Sequence, residues 1–227
     1  MFKIYRFILL ILFFILNNLS SISHLKEFNI ECNPDDFKLI YERFEEDIYI
    51  PITFKYEDKV WTDCEMRIRG ETSRYSPKKS LKIQFRGKSF VNGRSTLNLN
   101  AEYQDKSYLH NILASRIYNL AGVYCFTAEP VRIYLNGQYF GLYVLIENLD
   151  EEFLESNGLS IKGNLYKASA DGSCLSIYDD IPNVWEKKTN VNGDWSDLKY
   201  LIDKINSIPD SLFYEFLNEN FDYYNVI

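Results

Sequence analysis

The sequence predicts an α+β fold: an antiparallel, β-rich first half with one packed helix, followed by a helical second half. Three observations carry this. Residues 48–85 contain three runs in which apolar and polar positions alternate, the period of a strand. Asn136-Gly137 sits between two stretches of β-formers, the strongest short hairpin signal. From Trp195 onward apolar residues recur at helical spacing. Strands come first and helices later, which is the order of an α+β chain.

The elements follow in chain order. Lys3 and Arg6 precede the apolar run Phe7–Leu16, and Ser20, Ser21 and Ser23 follow it. A basic start, a short apolar run and small residues describe a secretory signal peptide over residues 1–23. The run is shorter than the roughly 20 residues that span a bilayer. A secreted protein is therefore expected, with no membrane partner after cleavage. Residues 24–46 stand as an N-terminal segment before a domain over residues 47–227. "IYIPITFKY" (48–56) predicts a strand, with Pro51 favouring a sheet edge. "KVWTDCEMRIRG" predicts a second strand that buries Trp61, Cys64, Met66 and Ile68. "KKSLKIQF" predicts a third, with Leu81, Ile83 and Phe85 on one side and Ser80, Lys82 and Gln84 on the other.

The period then changes. Residues 98–123 read as the approach to a helix and the helix itself, with Asp105 as N-cap and Gly122 as its end. The Asn136-Gly137 hairpin follows. "EEFLESNG" is a short helix, "GNLYKAS" a strand, and the stretch after it irregular. Residues 195–217 read as two amphipathic helices broken at Pro209.

The chain carries a formal charge of −7, which argues against general nucleic-acid binding. Any anion chemistry must be local. Four cysteines (Cys32, Cys64, Cys125, Cys174) in a secretory context predict one or two disulfides, with three pairings open. Without a C-x-x-C, and with only His24 and His110, their spacing does not predict zinc.

One local feature runs against the overall charge. Between Arg67 and Arg94 stand nine basic residues and one acid, Glu71. Gly70, the hydroxyls of Thr72, Ser73 and Ser76, and Lys78 and Lys79 form a set that could cradle phosphates. A solvated, charged strand edge is the competing interpretation, since edge lysines also block aggregation. Glu147 and Asp150, at the exit of the hairpin, suit either a ribose or metal contact or an ordinary helix cap. The acids from Asp194 to Asp222 read as solvated helix faces, and both histidines as structural.

Taken in series, "RGETSRYSPKKSLKIQF", "LNLNAEYQDKSYLHNILASRIYNLAGV", "VRIYLNGQYFGLYVLIENLD" and "GNLYKA" resemble the successive motifs of the CotH family, the spore-coat-protein-H-like secretory kinases. The likeness spans about Asp47 to Ala168. It implies an atypical protein-kinase fold, with an N-lobe over about 47–150 and a partial C-lobe over about 151–227. It implies ATP and Mg²⁺ as cofactors, a nucleotide as one partner, and a protein whose Ser or Thr is phosphorylated as the other. The nucleotide would meet Arg69, Ser73, Lys78, Lys79 and Glu147. Lys79 is the preferred phosphate lysine over Lys78 and Lys82, and Glu147 stands at the hinge. The resemblance places the family's catalytic and metal-binding aspartates beyond Ile227, so no residue here is assigned catalysis. The expectation is a kinase domain incomplete or inactive as it stands, the alternative being an extracellular binding or pseudokinase module.

Overall fold

In the computed structural model, which describes residues 25–87, 90, 93–169 and 172–222, the alternating runs roll into a closed barrel. Its strands are β1 (Lys26–Glu31), β2 (Ile50–Tyr56), β3 (Lys59–Arg69), β4 (Ser80–Phe85), β5 (Thr96–Asn100), β6 (Ala128–Leu135) and β7 (Gln138–Ile146). Their spatial order is β1-β2-β3-β4-β5-β7-β6. Every pairing is antiparallel except the one that closes the barrel, β1 beside β6, with Phe28 opposite Ile133. Closure pairs each barrel strand with a neighbour on both sides over part of its length, which removes long open edges from the barrel.

Alternation fills the interior. Ile52 and Phe54, Met66 and Ile68, Leu81 and Ile83, and Leu97 and Leu99 are all at most 4% exposed. Each such side chain contributes about 1.5–3 kcal/mol relative to exposure. One end is plugged by aromatic rings: Phe54 and Phe85 meet edge to face at 5.3 Å, and Phe85 stacks on Phe90 at 5.1 Å.

Helix α1 (Pro34–Glu42) is started by Asn33, whose Oδ1 accepts from Asp35 N, with Pro34 in the first turn. It buries Ile40. Strand β1 and α1 thus belong to the barrel, although from sequence they fall in a segment preceding the domain. Pro51 lies beyond the last β1–β2 pair, Glu31 with Thr53, where one side of β2 is locally unpaired. Helix α2 (His110–Leu120) begins later than expected. Asp105 still serves its start, because Oδ2 accepts from His110 N while Oδ1 accepts from Ser107.

After β7 come α3 (Glu151–Ser156), the ribbon β8 (Tyr166–Ala168) with β9 (Trp185–Lys187), and α4 (Ile181–Val184) before β9. Helices α5 (Ser196–Ser207) and α6 (Asp210–Asn220) follow, separated at Pro209 as the sequence predicts. Ile181, Leu198 and Ile202 form a second small core with Tyr166 and Trp195 against it. The architecture is α+β, β-rich first and helical after. Among the described residues no helix is long and apolar enough to cross a membrane. The apolar run read as a signal peptide lies outside the described residues.

The expected disulfides do not form: all four cysteines are free. Cys64 points into the barrel wall, where its thiol donates to the carbonyls of Ile52 and Trp61, both at 3.3 Å. Cys32 and Cys125 are half-buried and Cys174 is exposed.

Candidate anion-binding site

The residues that matter lie on the outer face of β3, β4 and β5, because outward positions are the ones the core does not use. On β3 these are Arg67 and Arg69; on β4, Ser80 and Lys82; on β5, Asn98 and Asn100. Register aligns them in two rows. Arg67 pairs with Lys82, and Lys82 with Asn98. Arg69 pairs with Ser80, and Asn100 follows one step past the Leu81–Leu99 pair. The second row floors a groove of about 580 Å³, walled by Ser73 on one side and Glu102 on the other.

The floor offers hydrogen-bond donors. Arg69 Nη1 donates to Asn100 Oδ1, so the amide of Asn100 is free to donate. Ser80 Oγ already accepts from Ala101 N at 3.0 Å, which frees its own hydrogen. Among the described residues Arg69 has no ion pair with an acid. Burial, together with Arg67, lowers its pKa to about 10. Lys82 makes no hydrogen bond or ion pair among the described residues. Its pKa is pulled down by burial first, then by Arg67, Lys188 and Arg69, against a weaker pull from Glu186. Arg67 differs, being paired with Asp47 at 2.8 Å and Tyr49 Oη at 3.1 Å. Among the described residues neither cation has a hydrogen-bonded or ion-paired carboxylate, and Glu186 only weakly offsets the burial of Lys82, so an arriving anion would relieve both.

The loop above the groove is fixed by its sequence. Gly70 has φ +113°, and a Cβ there would stand 2.0 Å from Ser73 Oγ, so only glycine fits. Arg74 pins the loop through Gly70 O at 2.6 Å, Glu45 O at 2.7 Å and Asp47 at 3.0 Å.

Of the residues expected to bind nucleotide, Arg69 and Ser73 reach the groove with free donors or hydroxyls. Lys78 lines it too, but its ammonium is engaged. Nζ donates to Ala101 O (2.8 Å), Tyr108 Oη (3.1 Å) and Leu142 O, and lies 4.1 Å from the Tyr143 ring. Gly141 leaves room for its stem. Lys79 has the opposite strand parity. It is 7% exposed, its Nζ donates to Arg74 O, and it sits 3.8 Å from the Phe44 ring. Glu147 continues the inward parity of Leu145. Its carboxylate accepts from Arg94 at 2.8 Å and from Thr127 N and Oγ1 at 3.0 Å. Lys79 and Glu147 are therefore both buried with their charges engaged, Lys79 by Arg74 O and the Phe44 ring, Glu147 by Arg94 and Thr127. In their place the structure brings Lys82, Ser80, Asn98 and Asn100 to the face. The signal for them was in the sequence: "SLKIQF" and "TLNLN" alternate, and that alternation sets Lys82 with Ser80 and against Lys79.

Over residues 66–227 the sequence matches the family described as CotH kinase protein. It is also similar to the inner spore coat protein H of Bacillus subtilis (strain 168), 28% identical over 199 residues, which are 84% of this chain and 54% of that protein. The chain thus spans about half the length of the curated relative it matches. A family match over well more than half of the sequence, one that includes Arg67, Arg69 and Lys82, settles the family. The chain belongs to the CotH kinase protein family.

Proposed function

We propose that the outer face of β3–β5 binds the phosphates of a nucleotide, ATP, as the nucleotide-binding lobe of a secreted CotH-type kinase. The protein substrate would be Ser or Thr of an extracellular or coat protein. One observation carries this: Arg69, Ser80 and Asn100 form a row of donors with no acid in it, beside the unpaired Lys82. Phosphoryl transfer depends mostly on positioning and charge neutralisation, which such a row supplies. The relative's name, inner spore coat protein H, supports a coat-associated location. Mg²⁺, which the family resemblance implies, finds no fitting donor set among the described residues, where no three His, Cys, Asp or Glu side chains converge. The phosphate-binding role rests on protein donors alone.

Thermal shifts test it. ATP at a hundred times its Kd should stabilise the protein by about 2.7 kcal/mol. Adenosine, which lacks phosphate, should give far less. Equal shifts with both, or none with ATP, would refute the proposal.

A further inference from the structure

The same face holds a second residue whose hydrogen bonding is incomplete. Asn98 pairs with Lys82 across the ladder and is 3% exposed. Its Nδ2 donates to Asn148 Oδ1 at 3.1 Å, and Asn148 Nδ2 donates to Asp150 Oδ2. Asp150 Oδ1 accepts from Glu152 N at 3.0 Å and Phe153 N at 3.3 Å, at the start of α3.

This chain of groups has a fixed direction. An ionised carboxylate only accepts, so Asn148 must turn its NH₂ toward Asp150 and its carbonyl toward Asn98. Asn98 must then turn its own NH₂ toward Asn148. Its Oδ1 is left over and accepts no hydrogen bond among the described residues. A buried acceptor without a donor is costly, and native proteins seldom leave one without purpose. Beside it stands Lys82, a cation that makes no hydrogen bond or ion pair among the described residues. Phosphate satisfies the lysine but not the carbonyl. The pair matches a ligand that carries an anionic oxygen and, close by, a hydrogen-bond donor. On a nucleotide those donors are the sugar hydroxyls and the exocyclic amine of the base.

We infer that Asn98 determines specificity by accepting a hydrogen bond from the nucleoside part of a nucleotide whose phosphates reach Lys82 and Arg69. Asn148 and Asp150 are positioning residues that fix which way its amide is turned. The inference rests on the phosphate-binding role proposed above.

The test is calorimetric titration of the protein with ATP, 2′-deoxy-ATP, 3′-deoxy-ATP, ITP and inorganic triphosphate. At least one analogue lacking a donor should bind about tenfold more weakly than ATP, the worth of one hydrogen bond to a buried acceptor. A deficit confined to a deoxy analogue identifies a sugar hydroxyl as the donor; one confined to ITP identifies the amine. Asn98→Leu should abolish that discrimination, with triphosphate binding still measurable. If Asn98→Leu does not fold, Asp150→Asn keeps the cap acceptor and the side-chain size but lets the amide chain reverse, and should shrink the discrimination. Equal affinity for all four nucleotides, or discrimination that survives these substitutions, would overturn the inference and leave phosphate binding intact. No binding of triphosphate at all would overturn the phosphate-binding role itself.

Discussion

Lys79→Ala separates a lysine that holds the fold from one that meets phosphate. Lys79 is 7% exposed, its ammonium lies 3.8 Å from the Phe44 ring, and it donates to Arg74 O. Its own carbonyl accepts from Tyr143 Oη at 3.2 Å, so the residue ties β4 to β7 and to the end of α1. A desolvated cation–π contact contributes about 2 kcal/mol. A hydrogen bond from a charged donor contributes about 1.5–3 kcal/mol, and its loss leaves the part-buried Arg74 O without this donor. Burying the ammonium opposes these terms, as its lowered pKa shows. The net loss should be about 2–3 kcal/mol, or roughly 4–12 °C in Tm for a domain of this size. Scanning calorimetry reads the Tm, and titration with ATP reads the site. The expected result is a lower Tm with ATP affinity nearly unchanged. An unchanged Tm with ATP binding abolished would refute the assignment and return Lys79 to the phosphate site.

Other perturbations address other parts of the account. Phe28→Ala removes a fully buried ring of β1 and should cost about 3–5 kcal/mol, visible as a lower urea midpoint; a change below about 1 kcal/mol would mean that β1 does not close the barrel. Gly70→Ala forces a Cβ onto Ser73 Oγ at a left-handed φ, so it should lower Tm and weaken ATP binding together; an unaffected affinity would separate the loop from the site. Lys78 gives a pH signature. Burial lowers its pKa from 10.5 to about 8, so between those values the unfolded chain holds a proton that the folded chain has released. Stability contributed by this group therefore rises with pH across that window. The unfolding free energy of the wild type minus that of Lys78→Met should climb from pH 8 to 10, as measured by urea denaturation; a flat or falling difference would show that the ammonium is not desolvated.

Much of this was legible in local pattern. Alternation in "TFKY", "CEMRIR" and "SLKIQF" gave β2, β3 and β4, and the Asn136-Gly137 turn gave β6 and β7. The barrel itself was not legible. β1 closes it by pairing with residues about a hundred positions away, and a parallel register of that kind has no local mark. β5 was hidden because "TLNLN" has polar asparagines at its outward positions and runs straight into the turn before α2. At the site, composition drew attention to the adjacent lysines at 78 and 79. Strand parity decides between them and Lys82, and parity sends Lys79 inward. That Arg69 and Ser73 would lie side by side was readable from Gly70, which fixes a turn between them. A carboxylate at a strand's exit looks the same in sequence whether it faces open space or, as Glu147 does, Arg94 and Thr127.

The central claim is that unpaired cations on the outer face bind phosphate. Titration calorimetry of ATP into the wild type, Arg69→Ala, Lys82→Ala and the Lys79→Ala control tests it most directly. Losing one charge-assisted contact should weaken binding by about 10- to 100-fold in each of the first two variants, with the control close to wild type. Wild-type affinity in both Arg69→Ala and Lys82→Ala would contradict the account.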